Sequence, residues 1–245
     1  MPLTHSSHRS INIVAPSNRD GSVNWVAPVT HWAIWQESPS NLQTPVVQFV
    51  DSSLRRKLSP LAKMALKVAH DCAGDLHNVR LVYASRHGDI TRTTNLLIDL
   101  AEGEAPSPTA FSMSVLNATA GVYSIAMNDQ SPSTAVSAVA SSFGFGLLEA
   151  CMQLASQPAS PVLFIYADEL APALYAVEDD IHMPHAIGLL LSSDADIEVS
   201  CTMSISETRN SPISQSQAFL DCLDNGEASI WHGEGRAWKW FRHAR

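Results

Sequence analysis

The sequence predicts one α/β domain, and three observations carry that expectation. Short apolar runs of strand length alternate with longer segments in which apolar residues recur at helical spacing. Hydrophobic residues make up 45% of the 245 residues and charged ones 16%, enough for one large buried core and too apolar for a disordered chain. No internal repeat and no dividing linker interrupts the pattern, so residues 1–245 read as a single domain.

Ser10–Val14 (SINIV) alternates like a short strand. From there to about Pro45, Trp25, Trp32 and Trp35 stand among Pro and Asn, which reads as loops with a short helix near Trp32–Gln36. Leu54–Cys72 has apolar residues at 58, 61, 64, 65, 68 and 72, the spacing of an amphipathic helix. Pro60 suits its first helical position and Ser59 its N-cap. Arg80–Ser85 (RLVYAS) reads as a buried strand, and Asp89–Glu102 as a second helix, followed by the Pro-rich connection GEAPSPTAF.

Phe111–Asp129 is rich in small residues around Gly121 and reads as a helix able to approach another backbone closely. Ser133–Val139 is a short β-prone run and Phe143–Ala155 a helix. Pro161–Tyr166 (PVLFIY) and Ala186–Leu191 (AIGLLL) are apolar strands, Ile197–Ile205 alternates, and Ser214–Leu223 is helical in pattern. The tail, SIWHGEGRAWKWFRHAR, is aromatic and basic. Taken alone it reads as a capping amphipathic helix with a solvated charged face.

Composition excludes several function classes. A formal net charge of −9 does not invite nucleic acid or an anionic membrane. No apolar run approaches the roughly 20 residues that span a bilayer, and the first residues lack the pattern of a signal peptide. Cys72, Cys151, Cys201 and Cys222 form no CxxC pair, so neither a zinc knuckle nor a disulfide framework is expected, and a reducing cytoplasm is the natural location.

The P-loop, GxGxxG, HExxH and GxSxG motifs are absent, and no cofactor is expected. His182 and His185, with Pro184 between them, read as a solvated loop rather than a metal site. Ser85–Asp89 (SRHGD) follows a strand, and two readings stand level: a functional loop, or a capped turn with Asp89 opening the next helix. Cys151 lies two turns inside its helix among apolar neighbours and reads as a buried structural cysteine.

Ala135–Ala150 (AVSAVASSFGFGLLEA) reads as strand, small-residue turn and helix, a place where enzymes often put a nucleophile. The longer segment Phe111–Ala150 resembles the middle of the N-terminal half of β-ketoacyl-ACP synthases, condensing enzymes with the thiolase fold. Asn117, Gly121, Pro132–Ser133, the β-run, the elbow and the helix ending in alanine all match without a gap. Arg80–Gly121 and Pro161–Tyr175 resemble one subgroup more closely: short ketosynthase-like N-terminal domains found with aryl polyene biosynthesis genes. Leu116 departs from it, standing where histidine is expected.

The resemblance implies a thiolase-like half, a mixed sheet with helices on both faces. It places the acyl-accepting cysteine of the family at Ala140, whose methyl group has no lone pair and cannot form a thioester. The half of a ketosynthase that supplies two histidines and a lysine has no counterpart before Arg245. The implied role is that of a non-catalytic chain length factor, paired as a heterodimer with a full-length ketosynthase whose acyl tunnel it bounds.

Ketosynthases dimerise by continuing one sheet across the interface, so Ala110, Phe111, Met113, Ser114, Asn117 and Gly121 are the implied interface and tunnel residues. Phe111 and Met113 read equally well as core residues. Asn117 reads as a buried register-fixing group or as a local cap. Trp231, Trp238, Trp240 and Phe241 need cover, either as cover for the surface left by the missing half or by docking on a partner. Arg236, Lys239, Arg242 and Arg245 beside them form a candidate contact for an acidic acyl carrier protein. The rival readings are a stand-alone serine hydrolase or acyltransferase using Ser141 or Ser142 with His87, and a scaffold that binds carrier protein only.

Overall fold

The computed structural model describes residues 21–36, 44–175 and 183–244. In chain order its elements are β1 (Val23–Gln36), α1 (Ser52–Arg55), α2 (Pro60–Ala73), β2 (Arg80–Ala84), α3 (Ile90–Ala101), α4 (Pro108–Ser112), α5 (Ala118–Met127), β3 (Ser133–Val136), α6 (Ser142–Ser156), β4 (Val162–Asp168), β5 (His185–Leu191), β6 (Ile197–Ile205), α7 (Gln215–Asn225), β7 (Ser229–Gly233) and β8 (Arg236–Ala244).

The unbroken apolar runs become strands buried at every position: β2, β4 and β5. One polar residue among them, Arg80, is buried because its guanidinium donates to the carbonyls of Gln153, Gln157 and Ser160, around the C-terminal end of α6. Caps follow the sequence: Ser59 accepts from the Ala62 amide with Pro60 at the first helical position of α2, and Ser214 accepts from Gln217 at α7.

The eight strands form one mixed sheet in the order β3-β2-β4-β5-β1-β6-β8-β7. β2 runs parallel to β3 and β4, and the remaining pairs are antiparallel. One face packs Phe143, Leu147, Phe164 and the three tail tryptophans with α6 and α7. The other packs Val68, Leu81, Tyr123 and Ile165 with α2 and α5. This is the mixed sheet with helices on both faces that the resemblance implied.

Three expectations are corrected. Trp32–Gln36 is strand, not helix: β1 pairs with β6 through Val23–Val29 and with β5 beyond it, and the register shifts between Val29 and His31. A segment that changes partners midway has no single clean alternation. Phe111–Asp129 is not one helix: Ser107 and Pro108 open α4, and a short connection separates it from α5. The tail is not a helix but the hairpin β7–β8, in which Trp238 and Trp240 point inward while Lys239, Phe241 and His243 point outward. Ser10–Val14, His182 and Arg245 lie outside the described residues.

Candidate functional site

The turn between β3 and α6 is built by its own hydrogen bonds. The Ser142 hydroxyl accepts from the Ala138 amide at 2.8 Å and donates to the Val139 carbonyl at 2.7 Å. Val139 is held at φ +48° and is 61% exposed. The Ala140 amide donates to Oε1 of Glu234 at 3.3 Å, and the Gly144 amide to Oε1 of Gln215 at 2.7 Å. Both apex residues, Val139 and Ala140, are aliphatic, so the apex itself offers no nucleophile.

Helix α6 runs from this elbow over one face of the sheet and meets it closely at two glycines. A Cβ on Gly146 would lie 2.6 Å from the Ala84 Cβ and 2.7 Å from the Phe164 ring, and one on Gly144 would lie 2.5 Å from the Trp238 ring. Glycine at these positions lets β2 and β4 approach the helix at Gly146 and lets the Trp238 ring of β8 reach it at Gly144.

Beside the elbow, the loop Ser85–Asp89 is pinned to the end of β4. Oδ1 of Asp168 accepts from the Ser85 hydroxyl and the Arg86 amide, each at 2.8 Å, and Tyr166 donates to Oδ2. Burial pushes the Asp168 carboxyl up to about 6, against the pull of these donors. The Ser137 hydroxyl donates to the Arg86 carbonyl at 3.0 Å, tying loop to elbow. Asp89 caps α3 and pairs with Arg92 at 2.9 Å, so the capped turn is present.

A cavity of about 320 Å³ adjoins it, lined by Asp89, Arg92, Leu96, Asp99, Ala110 and Glu169 among others. Glu169 accepts from the Thr91 amide at 3.0 Å, and burial raises its carboxyl above the ordinary range.

The hydrolase candidates do not come together. The Ser141 hydroxyl and Nε2 of His87 are both buried without hydrogen-bond partners among the described residues, and the Ser142 hydroxyl is bonded within the turn. Cys151 is fully buried, and burial pushes its thiol well above the usual range, as a structural cysteine requires.

Sequence reasoning missed a different pair. His185 Nε2 lies 2.7 Å from the Ser216 hydroxyl, and its Nδ1 lies 3.1 Å from the Met183 carbonyl. The two residues are 31 apart in sequence and carry no motif, and Ser216 is fully buried, out of reach of a substrate. Among the described residues, no group of three metal-ligating side chains converges, and no helix is long and apolar enough to cross a membrane.

The six interface candidates fall on α4, the connection after it and α5. Phe111 is 64% exposed, so within this chain it is not a core residue; Met113 packs against the core on the α2 side. Ala110 is half-buried on the cavity wall, and the Ser114 hydroxyl donates to the Phe111 carbonyl. Asn117 is exposed within this chain and makes no cap bond, so the local cap is not formed. Gly121 is exposed with open space over it, so its close approach to another backbone is not made within the described residues. Asn117, Gly121 and Ile125, the last 72% exposed, share one uncovered stripe of α5.

The tail tryptophans 231, 238 and 240 are buried within this chain against α6 and α7, while Phe241 is 45% exposed. The described tail cations are placed separately. Arg242 donates to the Leu223 carbonyl and lies over the Trp32 ring, Arg236 lies over Phe145, and Lys239 points outward.

Comparison with known proteins adds three findings. A family model described as the β-ketoacyl synthase N-terminal domain matches residues 30–241. No curated protein matches by sequence. Among solved structures, a chain of the ketosynthase (ApeO) in complex with its chain length factor (ApeC) from Xenorhabdus doucetiae is 26% identical, with a TM-score of 0.75 over 88% of this chain and 99% of that one.

The ishigamide ketosynthase/chain length factor matches at 16% identity and TM-score 0.53, over 69% of this chain and 54% of its own. A β-ketoacyl synthase from Burkholderia phymatum STM815 matches at 15% and 0.51, over 64% and 49%. These two share the fold and run well beyond the matched region, whereas the first is matched almost end to end.

Proposed function

The chain belongs to the family of β-ketoacyl synthase N-terminal domains, and from that membership we propose that it is a non-catalytic, chain length factor-like subunit. It pairs with a full-length β-ketoacyl-ACP synthase in the cytoplasm and bounds that partner's acyl tunnel during type II polyketide elongation, with an aryl polyene as the product class. The observation that carries this reading is the near end-to-end match to a chain of a ketosynthase–chain length factor complex, joined to an elbow with only Val139 and Ala140 at its apex. Ala140 is the counterpart of the family's acyl-accepting cysteine in this reading.

The surface around β3 supports pairing. Among the described strands β3 is an edge strand, hydrogen-bonded to β2 alone, so its outer side is open to a further strand. The elements flanking that edge leave Phe111, Val115, Ile125 and Val139 exposed, side chains better covered by a partner than by water. In this assembly α5 presents Asn117 and Gly121 to the partner's backbone, and Phe111 and Ala110 stand where they limit the partner's tunnel. Contact with the acyl carrier protein runs through the partner.

Co-expression with the ketosynthase encoded beside this chain, with a tag on this chain only, tests the proposal. Size-exclusion chromatography and intact mass are expected to give a stoichiometric complex in which an acyl-carrier-protein substrate acylates the ketosynthase alone. A chain that elutes alone and stable, with the ketosynthase absent, or an acylated adduct on this chain, overturns it.

A further inference from the structure

Among the described residues, the two left-handed positions least suited to their side chains meet at one contact. Four non-glycine residues among those described have positive φ. Asn78 and Asn128 are of the type that tolerates it, whereas Val139 at +48° and Glu234 at +54° are not. These two stand on either side of a single hydrogen bond, from the Ala140 amide to Oε1 of Glu234 at 3.3 Å.

Glu234 and Gly235 are the central residues of the two-residue turn that joins β7 to β8 across the pair Gly233–Arg236. Both have positive φ, the geometry of a type I′ turn, whose first position favours Asn, Asp or Gly. Glutamate gives up that preference, and its longer side chain is what spans to the elbow. Where a residue contradicts its local geometry, the side chain is the place to look for its role.

The turn is held firmly against α6. The Trp231 ring occupies the space over Gly233, where a Cβ would lie 2.1 Å from it. The Arg236 guanidinium lies 5.7 Å from the centroid of Phe145, and Trp238 meets that same ring edge-on at 5.0 Å. The carboxylate is thereby delivered to the elbow amide by a hairpin fixed on the first turns of the helix.

We propose that Glu234 is a built-in lock of the elbow. Its carboxylate occupies the backbone donor that would otherwise receive the carbonyl oxygen of an acyl group, and Gln215 occupies the Gly144 amide one turn further on. The chain is then closed to acyl groups for two independent reasons, an aliphatic apex and an occupied donor. Restoring a thiol at residue 140 does not by itself restore acyl acceptance. The lock stands on this chain's own contacts; only its use, keeping acyl chemistry on a partner, rests on the subunit reading.

Hydrogen exchange of the Ala140 amide, followed by NMR on the full chain, tests the contact. Glu234→Asn suits the turn but cannot reach, and it is expected to hold or raise the melting temperature while Ala140 exchanges about tenfold faster, as loss of one hydrogen bond predicts. Glu234→Gln keeps an acceptor and is expected to stay near wild type. Ala140 exchange unchanged by Glu234→Asn overturns the proposal.

A thiol reporter gives a second readout. Iodoacetamide is expected to alkylate Ala140→Cys slowly and the Ala140→Cys/Glu234→Asn double variant about tenfold faster, because a neighbouring carboxylate disfavours the thiolate. Equal rates overturn it. If Glu234→Asn frees the amide while the wild-type chain fails to bind a ketosynthase, the subunit reading falls and the lock stands.

Discussion

Helix α6 packs on two stretches of one sheet, two walls of different make. On one side β2 and β4 present a surface buried at every position, with Ala84 and Phe164 close enough to admit only Gly146. On the other, β8 presents Trp238 against Gly144, in a meander whose strands alternate inward tryptophan with outward Lys239, Phe241 and His243. The first wall is a buried parallel core. The second is a solvated antiparallel extension that buries a few large aromatic side chains on its inner face. β2 and β4 approach the helix along its length, whereas β8 reaches it through the Trp238 side chain. The first wall spreads its burial over aliphatic side chains and the rings of Phe164 and Tyr166, and the second concentrates it in three indoles.

That concentration gives the largest expected effect. Trp238 is fully buried and edge-to-face with Trp25 at 5.9 Å and with Phe145. Trp238→Ala is expected to destabilise the chain by about 3–5 kcal/mol in urea titrations, the range for emptying a large aromatic site. A loss under about 1 kcal/mol would mean that the meander leans on the helix without holding it. A second, earlier transition in the titration would show that the meander unfolds apart from the parallel core.

The same contrast explains what was legible in the sequence. β4, β5, β6, α2, α3, α6 and α7 are marked by local pattern and caps, so their type and approximate bounds follow from neighbours in sequence. The strand–turn–helix elbow is local as well. The tail is not, because its signal is shared. Trp238 and Trp240 alternate with Lys239 and Phe241 at period two, and Glu234-Gly235 is a turn pair, yet a basic aromatic run also fits a helix face. Reading the period rather than the composition would have found the hairpin. β1 was hidden by its change of partner at Val29–His31. Glu234 on Ala140, Gln215 on Gly144 and His185 on Ser216 join residues far apart in the chain, and nothing near either member announces the other.

The parallel wall has its own weak point, a buried carboxylate at the end of β4. The folded-state value of Asp168, raised to about 6, exceeds its ordinary 3.8, so the folded chain binds this proton more readily than the unfolded chain. Its contribution therefore favours folding at low pH and is progressively lost as pH rises from about 4 to 6. The full span corresponds to an order of 3 kcal/mol, an upper bound on what the neighbouring groups leave visible. Asp168→Asn keeps the acceptor oxygen toward Ser85 and Arg86 and cannot titrate. Urea midpoints at pH 4.5, 5.5 and 7.5 are expected to rise for the variant relative to wild type as pH increases. A difference that stays flat across this range would mean that the loop–strand junction is not governed by this charge.

The smallest effect concerns the elbow between the walls, and it runs the other way. Val139 holds a β-branched side chain at φ +48°, a conformation that glycine adopts without strain, and it is 61% exposed. Left-handed backbone costs a residue with a Cβ about 1–2 kcal/mol, and glycine gives back about half of that through its freer unfolded chain. Val139→Gly is therefore expected to stabilise the isolated chain by about 0.5–1 kcal/mol, read as a small rise in urea midpoint with an unchanged slope. A residue kept strained and exposed at a rigid elbow is explained if its side chain meets another surface. The same variant is then expected to weaken co-purification with a ketosynthase while leaving the chain more stable. A loss of stability would show that Val139 is held by contacts within the chain, and the elbow would then belong to the parallel wall rather than to the interface.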